Sequence, residues 1–316
     1  MIGVMITSNS TMCRTIPSGS GETESLRISL IWLFNALQIF GLMASGAVTL
    51  TVLISNRIKR AMTWYIFMGG WILWCISFFL LIGNQTDGCP AFGFCLFQAA
   101  LIYAGPPANA CATLAILLEL YFSMKSTLNK MENPRWRTIM LLVAPPAVYV
   151  MVFLEALVYG LLNPGSVQRD ATGMYCGIDS GLPAKVSAAL VAIFSITMLV
   201  YQVLTFTALY KNWIAFRQLQ ASPQNNNLSL SMMIRVSVYS FLPIMALGLS
   251  LVAAILTTSS SLAHIVTATL PGTAALIFGT QRDILRAIIC WRIKKNHVKT
   301  YAEKGVSACI DSGTAV

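Results

Sequence analysis

Ionisable side chains are scarce in the apolar stretches of this 316-residue chain: Glu119 and Glu155 are the acidic ones, and no Lys or Arg lies near the middle of a stretch. Such groups are costly in hydrocarbon, so where they occur they mark sites. Two carboxylates do not make the relay that a proton pump or proton-coupled carrier uses. The chain has two His, no His-Glu-x-x-His, no paired Asp motif and no Gly-x-Ser-x-Gly, so neither a metal site nor a serine nucleophile can be assembled. The last apolar stretch has no Lys for a retinal Schiff base, which removes a covalently held chromophore. The expectation is no covalent chemistry, no metal and no cofactor. What remains is binding. Trp71, Trp74, Tyr103, Asn109, Glu155, Tyr159, Tyr239 and His264 fall toward one end of their stretches, with Asp179 in a neighbouring loop. Aromatic walls with few polar anchors suit a small, largely apolar molecule. Glu155 is the leading anchor, because a carboxylate near the end of an apolar stretch needs a partner or water.

Those side chains must be positioned by helices in a bilayer. Hydrophobic residues make up 56% of the chain and charged residues 10%, against roughly 25% charged in a soluble domain, so the chain cannot cover itself with a polar surface in water. A span needs about 20 mostly apolar residues. Seven stretches qualify: 28–54, 64–83, 96–124, 139–162, 186–210, 236–256 and 262–280. The last is diluted by His264, several Thr and Pro271, and belongs inside a bundle rather than against lipid. The predicted fold is an all-α seven-helix membrane bundle, with an outer tail 1–27, a helical domain 28–281 and an inner segment 282–316. The gaps leave no room for a separate soluble domain, and no internal repeat is visible. Residues 218–231, rich in Gln, Asn and Ser, read as a flexible loop.

Lys and Arg gather in alternate gaps: Arg57, Lys59 and Arg60; Lys125, Lys130, Arg135 and Arg137; Lys211, Arg217 and Arg235; and seven more in the C-terminal segment. The other gaps hold Arg14, Arg27, Arg169 and Lys185. Cytoplasmic loops carry the excess, which predicts a plasma-membrane protein with its N-terminus outside and its C-terminus in the cytosol. The net charge of +10 is then a topology device that favours anionic inner-leaflet lipid. A nucleic-acid surface does not fit, because the basic residues are dispersed over short loops. Residues 1–27 contain no signal-peptide h-region, so the first span is expected to insert the chain.

Of eight Cys, Cys13, Cys89, Cys95 and Cys176 fall on the predicted outer side, where disulfides persist. Four thiols allow three pairings. Cys95 with Cys176 would tie the head of the third span to the second outer loop, and Cys13 with Cys89 is the complementary pair. Asn-x-Ser/Thr acceptors for glycosylation stand outside at Asn9 and Asn84, while a third, at Asn227, falls on the cytosolic side. In the C-terminal segment Ile284, Leu285, Ile288, Ile289 and Ile293 recur at helical spacing with Arg286, Arg292, Lys294 and Lys295 between them. That is the pattern of an amphipathic helix lying on the inner leaflet. Cys290 within it is a palmitoylation candidate, and residues 303–316 read as disordered.

Proline enters the spans at Pro106, Pro107, Pro145, Pro146, Pro243 and Pro271. Each removes a backbone hydrogen bond and bends its helix, which opens a cavity toward one face and supplies pivots for the inner helix ends. Cys95 with Cys176, Glu119-Leu120-Tyr121 at the inner end of the third span, Pro243 within Tyr-Ser-Phe-Leu-Pro, and Leu270-Pro271 followed by the run from Ile277 to Asp283 carry a resemblance. With them the whole membrane region resembles the seven-helix G-protein-coupled receptors, and in detail the receptor-like proteins of mushroom-forming fungi. Cys95 and Glu119 are 24 residues apart, roughly 36 Å of helix, so one marks the outer boundary and the other the inner.

The resemblance implies a receptor that senses an extracellular small molecule and activates a cytosolic heterotrimeric G protein, with Glu119, Tyr121, Pro243 and Pro271 at the coupling and switching positions. The chain departs from the rhodopsin-like pattern at Leu120, where Arg is usual, in a second span without Asp, and at Leu270-Pro271, which lacks the usual Asn and Tyr. A substitute switch is expected from position alone: Arg235, at the start of the sixth span, pairs with Glu119 when the bundle is closed. A small-solute carrier or channel is the alternative function, and a membrane-embedded enzyme the third.

Overall fold

The computed structural model describes residues 21–55, 58, 60–83, 85, 90–129, 134–170, 172–179, 181–211, 234–241, 244–245, 261–281 and 284. In chain order these form α1 (Gly21–Ile54), α2 (Met62–Phe79), α3 (Phe92–Asn129), α4 (Arg135–Leu162), strands β1 (Val167–Arg169) and β2 (Cys176–Ile178), α5 (Leu182–Lys211), a helical stretch α6 (234–241), α7 (Ser261–Ala268) and α8 (Leu270–Gly279). Helices α1 to α5 are each long and apolar enough to cross a membrane, and His264–Gly279 is a shorter apolar helical run. The described chain is thus mostly helical, as expected, with one antiparallel hairpin added. Cys13, Cys89, Asn9, Asn84, Asn227, Pro243, Cys290, most of the sixth stretch and the amphipathic segment after Ile284 lie outside the described residues.

Local chemistry sets the helix ends. Pro134 stands just before α4 in an extended conformation, which suits a residue whose φ is fixed and whose missing N–H is no loss at a helix start. Asn163 closes α4, its backbone N–H and its Nδ2 both donating to the Tyr159 carbonyl at 3.0 and 3.1 Å. Gly83 follows α2 at φ 91° and Gly181 precedes α5 at φ 71°, a region L side chains enter only with strain. The seventh stretch is divided at Thr269, two residues before Pro271, because Pro271 cannot donate to the turn before it. The threonines around the break bond back to their own helix: Thr267 to His264 O, Thr269 to Val266 O and Thr273 to Leu270 O, at 2.7 to 2.9 Å. Their hydroxyls therefore bring no unmet polarity into an apolar bundle.

Helix α3 is the axis. In its most apolar window 78% of residues are buried, against 17% in α4 and 28% in α1 and α5, and it packs against α2, α4, α5 and both strands. The outer helices leave long apolar stripes uncovered: Ile139, Val143, Val150, Leu154, Val158 and Leu161 on α4, and Ile193, Ile196, Val200 and Val203 on α5, are all exposed. A continuous apolar belt of this kind is unfavourable in water and fits a protein whose solvent is hydrocarbon.

Helices α1 and α8 approach through small residues. A Cβ on Gly41 would stand 2.9 Å from Pro271 Cβ, one on Gly272 2.9 Å from Phe40, and one on Gly279 2.6 Å from Val48, while Ser45 Oγ donates to Pro271 O at 3.3 Å. Close backbone approach is what binds helices when lipid supplies no hydrophobic drive. Gly41→Val is therefore expected to destabilise the detergent-purified protein by about 1–3 kcal/mol, read as a lower melting temperature. Gly46→Ala, where nothing lies within 4 Å, leaves it unchanged or raises it.

The hairpin pairs Val167 with Ile178 and Arg169 with Cys176, turning through Gly173 at φ 78°. It is fastened to the ends of the helices it covers. The Cys95–Cys176 disulfide, with Cα atoms 5.3 Å apart, holds it to α3, in the pairing expected from the sequence. Gln98 Oε1 accepts the Cys176 N–H at 3.2 Å, Tyr103 Oη accepts the Ile178 N–H at 3.2 Å, and Arg169 Nη1 donates to Gln85 O at 3.1 Å.

Candidate functional site

Beneath the hairpin lies a cavity of about 280 Å³, bounded by α1, α2, α3, α5, α7, the start of α8 and β2-flanking Tyr175. Phe34, Trp71, Trp74 and Phe78 form one wall, Ile102, Tyr103, Pro106 and Asn109 a second, and Ala184, Ser187, Ala188 and Val191 a third, with His264, Thr267 and Leu270 opposite. The aromatic wall is rigid: Phe34–Phe78, Trp74–Phe78 and Phe78–Tyr175 are edge-to-face with centroids 5.0, 5.1 and 5.8 Å apart, the arrangement that ring quadrupoles favour. Glycine lets it close. A Cβ on Gly105 would fall 2.0 Å from Trp74 Cε3, and one on Gly70 2.2 Å from Asn109 Oδ1.

The polar groups of the cavity are unequally satisfied. Tyr103 is bonded to Ile178, and Ser187 Oγ donates to Tyr103 O at 3.0 Å. Tyr175 Oη lies 3.2 Å from Nε2 and 3.3 Å from Nδ1 of His264, whose Nε2 is 4.0 Å from Asp170 Oδ2. Asp170 is itself held by the N–H and hydroxyl of Thr172, at 3.0 and 2.5 Å. Burial, and then the Asp170 charge, push the Tyr175 phenol well above its ordinary range, so it keeps its proton and remains a donor. In contrast, Asn109 Nδ2, Trp71 Nε1 and Trp74 Nε1 are buried with no partner among the described residues.

Of the residues expected to line a site, Tyr103, Asn109, His264, Trp71 and Trp74 meet in this cavity. Tyr239 stands one layer deeper, fully buried and edge-on to Phe67, Trp71 and Phe278 at 5.2, 6.3 and 5.7 Å. Glu155 and Tyr159 are not cavity residues. They lie half-buried on α4, which turns Ala156 and Gly160 toward the core; the Leu96 side chain packs where a Gly160 Cβ would be. Asp179 is exposed, its N–H donating to Ser166 O at 2.8 Å. Tyr175 was not anticipated. Its signal was its place beside Cys176, since the disulfide that carries Cys176 over α3 carries its neighbour over the bundle interior.

At the opposite end, Glu119 and Arg235 do not form the expected pair. Glu119 accepts a hydrogen bond from Thr63 on α2. Arg235 instead reaches α8, donating to Ile277 O, to Thr280 Oγ1 at 2.6 Å and to Thr280 O at 3.1 Å. The physical reason is that the last carbonyls of a helix lack intrahelical donors and carry its negative dipole end, so a guanidinium beside them is drawn there. Tyr121 packs with Phe122 and Tyr201 at 5.5 Å each, and Leu120 joins the apolar cluster around Met124. Between the two ends, Gln202 of α5 donates to Ser237 O at 3.1 Å and accepts from Ser240 at 2.8 Å, joining α5 to α6. Compared with known proteins, the chain matches no family model and no curated relative.

Proposed function

We propose that the chain is a seven-helix receptor of the G-protein-coupled type, set in the plasma membrane with its N-terminus outside, that binds a small, mostly apolar molecule and activates a cytosolic heterotrimeric G protein. The observation that carries this reading is a cavity that shares Trp71 with a packed aromatic cluster joining three helices. Phe67, Trp71, Tyr239 and Phe278 pack ring against ring, and Trp71 also lines the cavity. A ligand pressing on Trp71 thereby touches the cluster that joins α2, α6 and α8. Occupancy biases the inner helix ends only through its differential affinity for the two arrangements.

Purified protein in nanodiscs with candidate Gα subunits is expected to accelerate GTP exchange, and organic extracts of candidate ligand sources to change that rate. Solute flux into proteoliposomes, with no exchange on any Gα, would replace this reading with a carrier. The topology has its own check: an epitope at the C-terminus should stay hidden from antibody on intact cells and be stained after permeabilisation.

A further inference from the structure

At the end of the bundle away from the hairpin, the first turn of α4 gathers positive charge without an anion to meet it. Arg135 and Trp136 are exposed there and Arg137 is half-buried. The turn contains no acidic residue and no side chain caps it, although the free N–H groups and the dipole of a helix start favour negative charge. Arg137 is steadied by aromatic rings, its guanidinium 5.0 Å from the ring centroid of Phe122 on α3 and 5.6 Å from that of Trp136. Contact of this kind engages a face of the guanidinium and leaves its edge N–H groups to an acceptor. Lys125, three residues beyond Phe122 and therefore on the same side of α3, is exposed as well. Among the described residues no hydrogen bond or ion pair reaches the side chain of Lys125, Arg135 or Arg137.

From that turn an apolar stripe runs along α4. Trp136, Met140 and Val143 recur at helical spacing on one side of the helix and are all exposed, with Arg135 and Arg137 flanking the head of the stripe. An exposed Trp beside cations is what the boundary between hydrocarbon and headgroups selects. We infer that this corner of α3 and α4 holds a net-anionic phospholipid, its headgroup on Lys125, Arg135 and Arg137 and an acyl chain along Trp136, Met140 and Val143. The guanidinium fork matches two phosphate oxygens at once. A zwitterionic lipid brings its own cation into the same corner and is disfavoured there, and a soluble phosphate leaves the stripe uncovered. Anionic lipid is concentrated in the cytoplasmic leaflet, so the leaflet of the site rests on the orientation proposed above, whereas its chemistry does not.

The test mixes full-length protein in detergent micelles with equal amounts of dioleoyl phosphatidylserine and dioleoyl phosphatidylcholine and counts the bound lipids by native mass spectrometry. Phosphatidylserine is expected to be retained roughly tenfold over phosphatidylcholine, and Arg137→Gln and Arg135→Gln each to cut that preference about fivefold, the equivalent of about 1 kcal/mol for one basic side chain at an anionic surface. Arg135→Gln, at an exposed position, carries the comparison should Arg137→Gln fail to fold. Lys211→Gln removes the same charge from the end of α5, at the same end of the bundle, and should leave the preference within about twofold of the wild type, because the site is local and not the sum of the basic residues. Glycerophosphoserine, the headgroup without its chains, should not displace the lipid even in molar excess. Equal retention of the two lipids, a loss in Lys211→Gln that matches the arginine variants, or displacement by the soluble headgroup would each overturn the inference. A C-terminal epitope stained on intact cells would sink the proposed orientation and leave the lipid site standing, on the opposite leaflet.

Discussion

Cys95→Ser is expected to lower the melting temperature sharply and to abolish retention of any cavity ligand. The Cys95–Cys176 bond closes a loop of 81 residues, and the chain-entropy cost it removes from the unfolded state is of order 4 kcal/mol. The functional loss has a separate origin. Tyr175 reaches His264 only while the adjacent Cys176 is held on α3; without the disulfide the hairpin keeps the bonds from Gln98, Tyr103 and Arg169, each worth about 1 kcal/mol. That is too little to fix a lid against the entropy of some ten freed residues. Thermal unfolding monitored with and without reductant checks this. Reductant should bring the wild type down to the variant and leave the variant where it is. Cys75→Ala, which removes a buried free thiol elsewhere, should respond to reductant as the wild type does.

The bodies of α1 to α5 were legible because a run of apolar residues long enough to cross hydrocarbon has few other folds open to it. Their ends were less so. Helix α3 continues to Asn129, past the apolar stretch that ended at residue 124, since nothing stops a helix where lipid stops. Cavity residues on the central helices, Tyr103 and Asn109, were found by polarity within apolar sequence, and His264 likewise. The same criterion pointed to Glu155 on α4, where the carboxylate lies outside the cavity; polarity says that a group needs a partner, not which face of its helix is turned inward. That choice is made by Ala156 and Gly160, whose small side chains let α4 approach α3. The hairpin contribution escaped for another reason. Nothing in a single strand of three residues announces its partner, so Tyr175 became visible only with the register that places Arg169 opposite Cys176.

Arg235→Gln is expected to raise ligand-independent nucleotide exchange about tenfold on the receptor reading, whereas Glu119→Gln leaves it nearly unchanged. Arg235 caps the end of α8 through Ile277 and Thr280, so the start of α6 is held to the end of α8 by charge-assisted bonds. Such bonds are worth about 1.5–3 kcal/mol when buried and toward the lower figure here, where two of the three are exposed; about 1.4 kcal/mol is a factor of ten in an equilibrium. Glutamine keeps hydrogen-bonding capacity but loses the charge that the carbonyl end of α8 attracts. Glu119 belongs to a different contact, with Thr63 of α2, and its loss should show as lower thermal stability rather than altered exchange. Spin labels at Ile234 and Thr49, one at the start of α6 and one on α1, give a second readout that needs no G protein: the distance distribution should broaden toward longer values in Arg235→Gln and not in Glu119→Gln. If both variants exchange nucleotide alike and the label distances coincide, α6 is not held by α8, and this end of the bundle must be governed by another contact.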